Sequence, residues 1–174
     1  MNWHDYFYYE NGFLIWKERD VSTFKTKRSA ATWNTRFAHK TAGNKCPRFG
    51  YVMVRIGRGL YRAHRIIWEM HNGQIQGDMQ IDHINHVRDD NRIENLRLVN
   101  NLGNGMNQSI ATNNTSGVTG VTWNSDRKKW MAQIKVKGKN IYLGLFVDFN
   151  NATKARAEAE VKHGFHKNHG RRTN

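Results

Sequence analysis

The stretch Ile81 to Asn104 reads IDHINHVRDDNRIENLRLVNNLGN, and the fold around it follows from how it is parsed. Asp82 and His83 stand side by side at the end of a short apolar run. A segment dense in Asn and Asp follows, then a second apolar run, Leu96 to Val99, and a polar segment. The pattern predicts a strand over 79–83, a long structured loop HINHVRDDNRIEN, a returning strand over 96–99 and a short helix over 100–108, together a ββα unit. In a regular strand Asp82 and His83 point to opposite faces, so both reach one site only where the strand ends and the backbone bends. A carboxylate and an amide oxygen can hold a hard divalent cation, and a neighbouring imidazole can take a proton near neutral pH.

Upstream, YVMVRI alternates from Tyr51, GRG turns, and LYRAH alternates again. A helical period then runs through Ile66, Ile67 and Met70 to an end near Gly73. His64 opens this helix and His71 closes it. Each is either a participant in chemistry or, as is commoner at helix ends, a cap or packed residue. At the N-terminus, YFYYENGFLIW (residues 6–16) places aromatic and β-branched runs on either side of Asn11-Gly12, a dipeptide suited to a tight hairpin turn. Trp3, Tyr6, Phe7 and Trp16 are expected to build a small aromatic core in preference to stacking on bases. Residues 17–48 show no sustained period and read as a long irregular loop. Lys25, Lys27, Arg28, Arg36 and Lys40 there are either phosphate contacts or a solvated charged face.

Downstream, residues 109–118 are uncharged and rich in Asn, Ser and Thr, and read as a linker. Three alternating strands are predicted beyond it, over 120–124, 129–137 and 140–147, with turns at Ser125-Asp126 and Gly138-Lys139. A helix follows from Asn150 or Asn151 to Gly164. Val121, Trp123, Trp130, Ala132, Ile134, Ile141 and Leu143 form the expected core face, against an Ala152, Ala155 and Ala159 stripe. The opposite face carries Thr122, Asn124, Met131, Gln133, Lys135, Lys137, Asn140 and Tyr142. With Arg127 in the first turn, its polar members are the candidate DNA contacts, since a major groove admits β-strands. The tail 165–174 is basic and expected to lack structure. His163, His166 and His169 in this region read as solvated residues.

Charge points the same way. The chain carries 28 Lys and Arg against 14 Asp and Glu, a formal +14 over 174 residues. Before Ser109 there are 16 basic and 10 acidic residues, and from Ser109 onward 12 and 4, so the shorter part is the more basic. A polyanion is the expected partner. No segment approaches the roughly 18 apolar residues that span a bilayer, which sets a membrane aside. The N-terminal residues lack the charged and apolar regions of a signal peptide, so a cytoplasmic protein is expected. Cys46 is the only cysteine, which excludes disulfide scaffolds and multi-cysteine zinc sites.

Asp82-His83, Asn91, Asn95-Leu96-Arg97 and Asn104 resemble the HNH endonucleases, in the phage homing subgroup where the last histidine of the motif is an asparagine. The likeness extends upstream through GYVMVRIGRGLYRAHRIIWEMHNG. Residues 116–146, SGVTGVTWNSDRKKWMAQIKVKGKNIYLGLF, resemble the Apetala or ethylene-response-factor type of DNA-binding domain. Thr122, Asn124 and Lys135 stand where plant members carry base-reading arginines, so plant-type specificity is not implied.

The resemblance implies an α+β protein. A nuclease domain over 1–108, with its ββα-metal core over 79–108, is joined by the linker 109–118 to a DNA-binding domain over 119–164, a three-stranded antiparallel sheet packed on one helix. It further implies that His83 is the general base, that Asp82 and Asn104 hold one Mg²⁺ or Mn²⁺, and that Asn95 braces the loop. The partner implied is double-stranded DNA, bound by a monomer that needs no small-molecule cofactor. His86 occupies a loop position where relatives usually have Gly, which makes it either a residue at positive φ or an extra phosphate contact. A regulator with a decayed nuclease site is the alternative, and the presence of Asp82, His83, Asn95 and Asn104 together argues against it. A third class, an RNA-binding structural protein, would show exposed aromatics on a sheet.

Overall fold

The structure is a computed structural model that describes residues 1–100 and 107–171. The chain is mixed α and β and falls into two compact units, Met1–Val99 and Asn100–Asn174.

In the first unit, β1 (Phe7–Glu10) and β2 (Phe13–Trp16) pair antiparallel about a turn in which Asn11 and Gly12 take φ of 45° and 90°. The positive angles give the turn a twist that matches that of the strands. Phe7 and Trp16 are buried and Tyr6 and Trp3 partly so, making these aromatics core residues as expected. A second sheet of order β3-β4-β5 comprises Asn44–Lys45, Val52–Ile56 and Gly59–Arg62. Helix α2 (Ala63–Asn72) follows directly and buries Ala63, His64, Ile66 and Ile67. Its C-terminal cap, Gly73, has φ 80°. The ββ part of the central unit is β6 (Gln80–His83) paired with β7 (Leu96–Val99), in the register Asp82 opposite Arg97 and His83 opposite Leu96. The helix expected over 100–108 falls largely outside the described residues.

The region 17–48 differs from expectation. It contains a helix, α1 (Lys27–Phe37), opened by a capping box in which Thr26 and Ser29 each bond the other's backbone. Such a box satisfies otherwise orphaned N–H groups at a helix start. Ala30, Trp33 and Phe37 turn toward the interior, and Trp33 packs edge-on to Trp16 at 5.3 Å.

The second unit has a sheet of order β10-β9-β8, made of Lys139–Phe146, Lys129–Val136 and Val121–Asn124, packed against α3 (Phe149–Lys162). Asp148 caps α3, two residues before the expected start, its carboxylate accepting from the N–H groups of Asn150 and Asn151. Val121, Ala132, Ile134, Ala152 and Ala159 are buried as expected, but Trp123 is 52% exposed and Ile141 37%. Both lie on edge strands, where the helix gives less cover. A bulge between Tyr142 and Gly144 shifts the register of β10 and places Phe146 opposite Trp130.

Between the alanines of α3 lies Arg156, which is buried and donates to the Gln133 carbonyl at 2.6 Å and to Glu160 at 2.9 Å. Gly120, at φ 76°, is required beneath it, because a Cβ there would overlap the Gln133 carbonyl and the guanidinium. Residues 109–118 are bonded into this unit: Asn114 Nδ2 donates to the Val118 carbonyl, and Ser116 Oγ to those of Val118 and Val121. The described part of the tail is likewise bonded into this unit. Gly170 donates to the Gln108 carbonyl, and His169 packs edge-on to Phe165, ring centroids 4.8 Å apart, beside Arg156.

Candidate active site

His83 ends β6, and the chain leaves the strand at that point. Ile84 N–H bonds the Asn95 carbonyl, and His86 N–H bonds the His83 carbonyl, so the loop folds back immediately. The turn is completed with His86 at φ 66°, the left-handed conformation that histidine tolerates better than most residues. Asn95, 7% exposed, ties the loop together. Its Oδ1 accepts from Asn85 N–H at 3.0 Å, and its Nδ2 donates to Asn85 Oδ1 at 3.0 Å and to the Asp90 carbonyl at 2.7 Å.

The N-terminal hairpin props the far side of this loop. Tyr9 Oη accepts from Ile93 N–H at 3.0 Å, and Gly12 lies so close to Arg92 that a Cβ would clash with its backbone nitrogen.

The His83 imidazole is 4% exposed, and its Nε2 lies 3.0 Å from Asn91 Oδ1. With the amide oxygen accepting, Nε2 carries the proton and the lone pair sits on Nδ1. Burial pushes the His83 pKa below its ordinary value, against the opposing pull of Asn91 and of the carboxylates of Asp82, Asp90 and Asp89. The ring is therefore neutral, and able to accept a proton, at neutral pH.

Asp82, beside it, points the other way, and Arg97 across the strand pair grips its Oδ2 with Nε at 3.0 Å and Nη2 at 2.8 Å. Its side chain is 12% exposed and supplies an oxygen donor of the kind a hard cation prefers. Asn104, the other expected ligand, lies outside the described residues. Among the described residues no cluster of three or more His, Cys, Asp or Glu is placed to hold a metal. Of the two expected ligands, Asp82 alone is among the described residues, and its carboxylate is an oxygen donor of the kind hard divalent cations take.

Three residues without an assigned role in the sequence reading join the site. His64, from α2, packs edge-on to His83 with ring centroids 5.0 Å apart. Tyr51 lies 5.1 Å from His64 and 6.0 Å from His83. Asn91 belongs to the motif, but its place as the partner of His83 is visible only once the loop is folded. His71, by contrast, bonds the Ile67 carbonyl and packs on Tyr9, at the far end of α2 from His64.

The family model of HNH endonucleases matches residues 61–106. That segment runs from the end of β5 through α2 and the whole of the β6–β7 unit. Protein 3.8 of Escherichia phage T7 is 35% identical over 78 residues, a span that covers 45% of this chain and 64% of that protein. The chain thus spans less than two thirds of the relative's length. No solved structure matches.

In the second unit, Thr122, Arg127, Lys135, Lys137, Asn140 and Tyr142 are exposed, as a contact surface requires. Asn124 and Gln133 are half-buried. Asn124 Oδ1 accepts from Arg127 N–H at 2.9 Å and so serves the turn. Register places Gln133 opposite Tyr142 and Lys135 opposite Asn140 on the face away from α3. Lys137, at φ 48°, sits in the turn with Gly138. Among the described residues no helix is long and apolar enough to cross a membrane.

Proposed function

We propose that the chain is a metal-dependent HNH endonuclease of the phage homing type that hydrolyses a phosphodiester of double-stranded DNA, acting as a monomer. The observation that carries this reading is the buried His83 held by Asn91 at the end of β6, inside the segment that matches HNH endonucleases. His83 Nδ1 takes a proton from water, the water oxygen attacks phosphorus as the bond to the 3′ oxygen breaks, and the departing oxygen takes a proton from solvent, leaving a 5′-phosphate and a 3′-hydroxyl. Asp82 and Asn104 are the residues that would hold the cation. When bound, it neutralises charge on the phosphate and on the departing oxygen. Asn95 is a positioning residue whose amide keeps the loop folded behind the imidazole.

The second unit is read as an Apetala-type DNA-binding domain. Its open sheet face, a small helix-backed sheet bearing Thr122, Lys135, Asn140 and Tyr142, with Arg127 and Lys137 in the turns, lies against DNA and holds the nuclease there through the covalent chain. Asn124 and Gln133 contribute from their half-buried places.

The test is conversion of supercoiled plasmid to nicked or linear forms with Mg²⁺ or Mn²⁺. Cleavage is expected with either cation, abolished by EDTA and restored by adding the cation back, with ends that a ligase can rejoin. Tight DNA binding without cleavage under every cation tried would instead support a DNA-binding regulator.

A further inference from the structure

Asp82, Asp89 and Asp90 surround His83 in sequence, and each is already paired with a cation of the protein. Arg97 holds Asp82 at 2.8 Å, Lys45 holds Asp89 at 2.7 Å and Arg92 holds Asp90 at 2.7 Å. Two further guanidinium groups stand at the same place with no such partner. Arg62, at the last position of β5, has Cζ 4.9 Å from the centre of the Tyr51 ring, and Arg88, in the loop after His83, has Cζ 5.2 Å from the same centre. Neither is in an ion pair among the described residues, and both are exposed. Arg88 is further fixed by donating from Nη1 to the Phe49 carbonyl at 3.0 Å.

A ring contact of this kind is weak at an exposed site. It orients a guanidinium without neutralising it and leaves N–H donors for another acceptor. The shared ring is the one that touches both His64 and His83. The local balance of charge is therefore positive beside the group read as the base, and the donors present the planar fork that suits phosphate oxygens.

We infer that Tyr51 is a platform on which Arg62 and Arg88 grip DNA phosphates at and next to the bond that is cut. This inference rests on the nuclease reading for the identity of the anion. His64, packed edge-on to Tyr51 with ring centroids 5.1 Å apart, helps fix the ring and so where the two guanidinium groups stand. A carboxylate in place of either arginine would return the local charge to balance and remove the grip.

The experiment measures two quantities on full-length Arg62→Ala, Arg88→Ala and the double variant. The first is the rate of plasmid nicking at saturating DNA. The second, in a His83→Ala background where binding proceeds without cleavage, is the slope of log affinity against log salt. Each single variant is expected to nick ten-fold or more slowly, with partial recovery in Arg→Lys, and to make the slope less negative by about 1, twice that in the double variant. Arg58→Ala, in the β4–β5 turn, removes the same charge away from Tyr51 and is expected to leave the nicking rate unchanged. Unchanged rates and slopes in the double variant, with the parent still nicking, overturn the inference and leave the nuclease reading standing. An equal fall in rate for Arg58→Ala overturns it too, because net charge alone would then be responsible. Failure of the parent to nick defeats the nuclease reading separately, and the salt slopes still report whether Arg62 and Arg88 bind phosphate.

Discussion

His64 is 3% exposed, and its Nδ1 has no hydrogen-bond partner among the described residues. Burial, followed by the nearby charges of His83, Arg62 and Arg65, pushes its pKa from 6.5 down to about 3. The unfolded chain therefore takes up a proton below pH 6.5 that the folded chain refuses until about pH 3. In that window stability falls as pH falls, by about 1.4 kcal/mol per pH unit for this one group. Substitution by an apolar residue of similar bulk, His64→Leu, is expected to flatten the dependence between those limits, as read by urea unfolding at a series of pH values. An unchanged slope would mean that His64 is not held neutral by its surroundings. Asp82, His83 and Asn95 were recognisable as candidates because their motif is local. Tyr51, Arg62 and Arg88 were not, because their meeting depends on three separated segments packing together.

Among elements, the hairpins were legible wherever a turn dipeptide stood between alternating runs, as at Asn11-Gly12. Helix α1 was missed because its box uses Ser29 where Glu or Gln is the usual signal, and because Ala30, Trp33 and Phe37 sit in a strongly polar background. The bulge in β10 was also invisible, since alternation read from sequence assumes an unbroken register. Arg156 was hidden inside an alanine stripe, because a buried arginine is rare unless carbonyl and carboxylate partners await it. For the sheet β8–β10, the proposed contact face makes a specific demand. Lys135→Ala and Lys137→Ala are each expected to make the salt dependence of DNA binding less negative by about 1, with thermal stability little changed since both side chains are exposed. A slope that ignores both changes would remove this face from the interface.

Across the whole molecule, a formal charge of +14 is spread over two compact units, and the expectation of a polyanionic partner rests on that charge. Composition gave the partner class, but charge alone says nothing of which surface is used. Within the first unit α2 and the β6–β7 loop meet at one imidazole, through His64 and Asn91 on His83, while the N-terminal hairpin braces the same loop through Tyr9 on Ile93. The central claim is that this imidazole does the chemistry. The direct measurement is nicking of supercoiled plasmid by His83→Ala and by the parent chain in the same Mg²⁺ buffer, with DNA affinity measured alongside in EDTA. Nicking is expected to fall on the order of 10²-fold or more at unchanged affinity. Undiminished nicking by His83→Ala would contradict the claim.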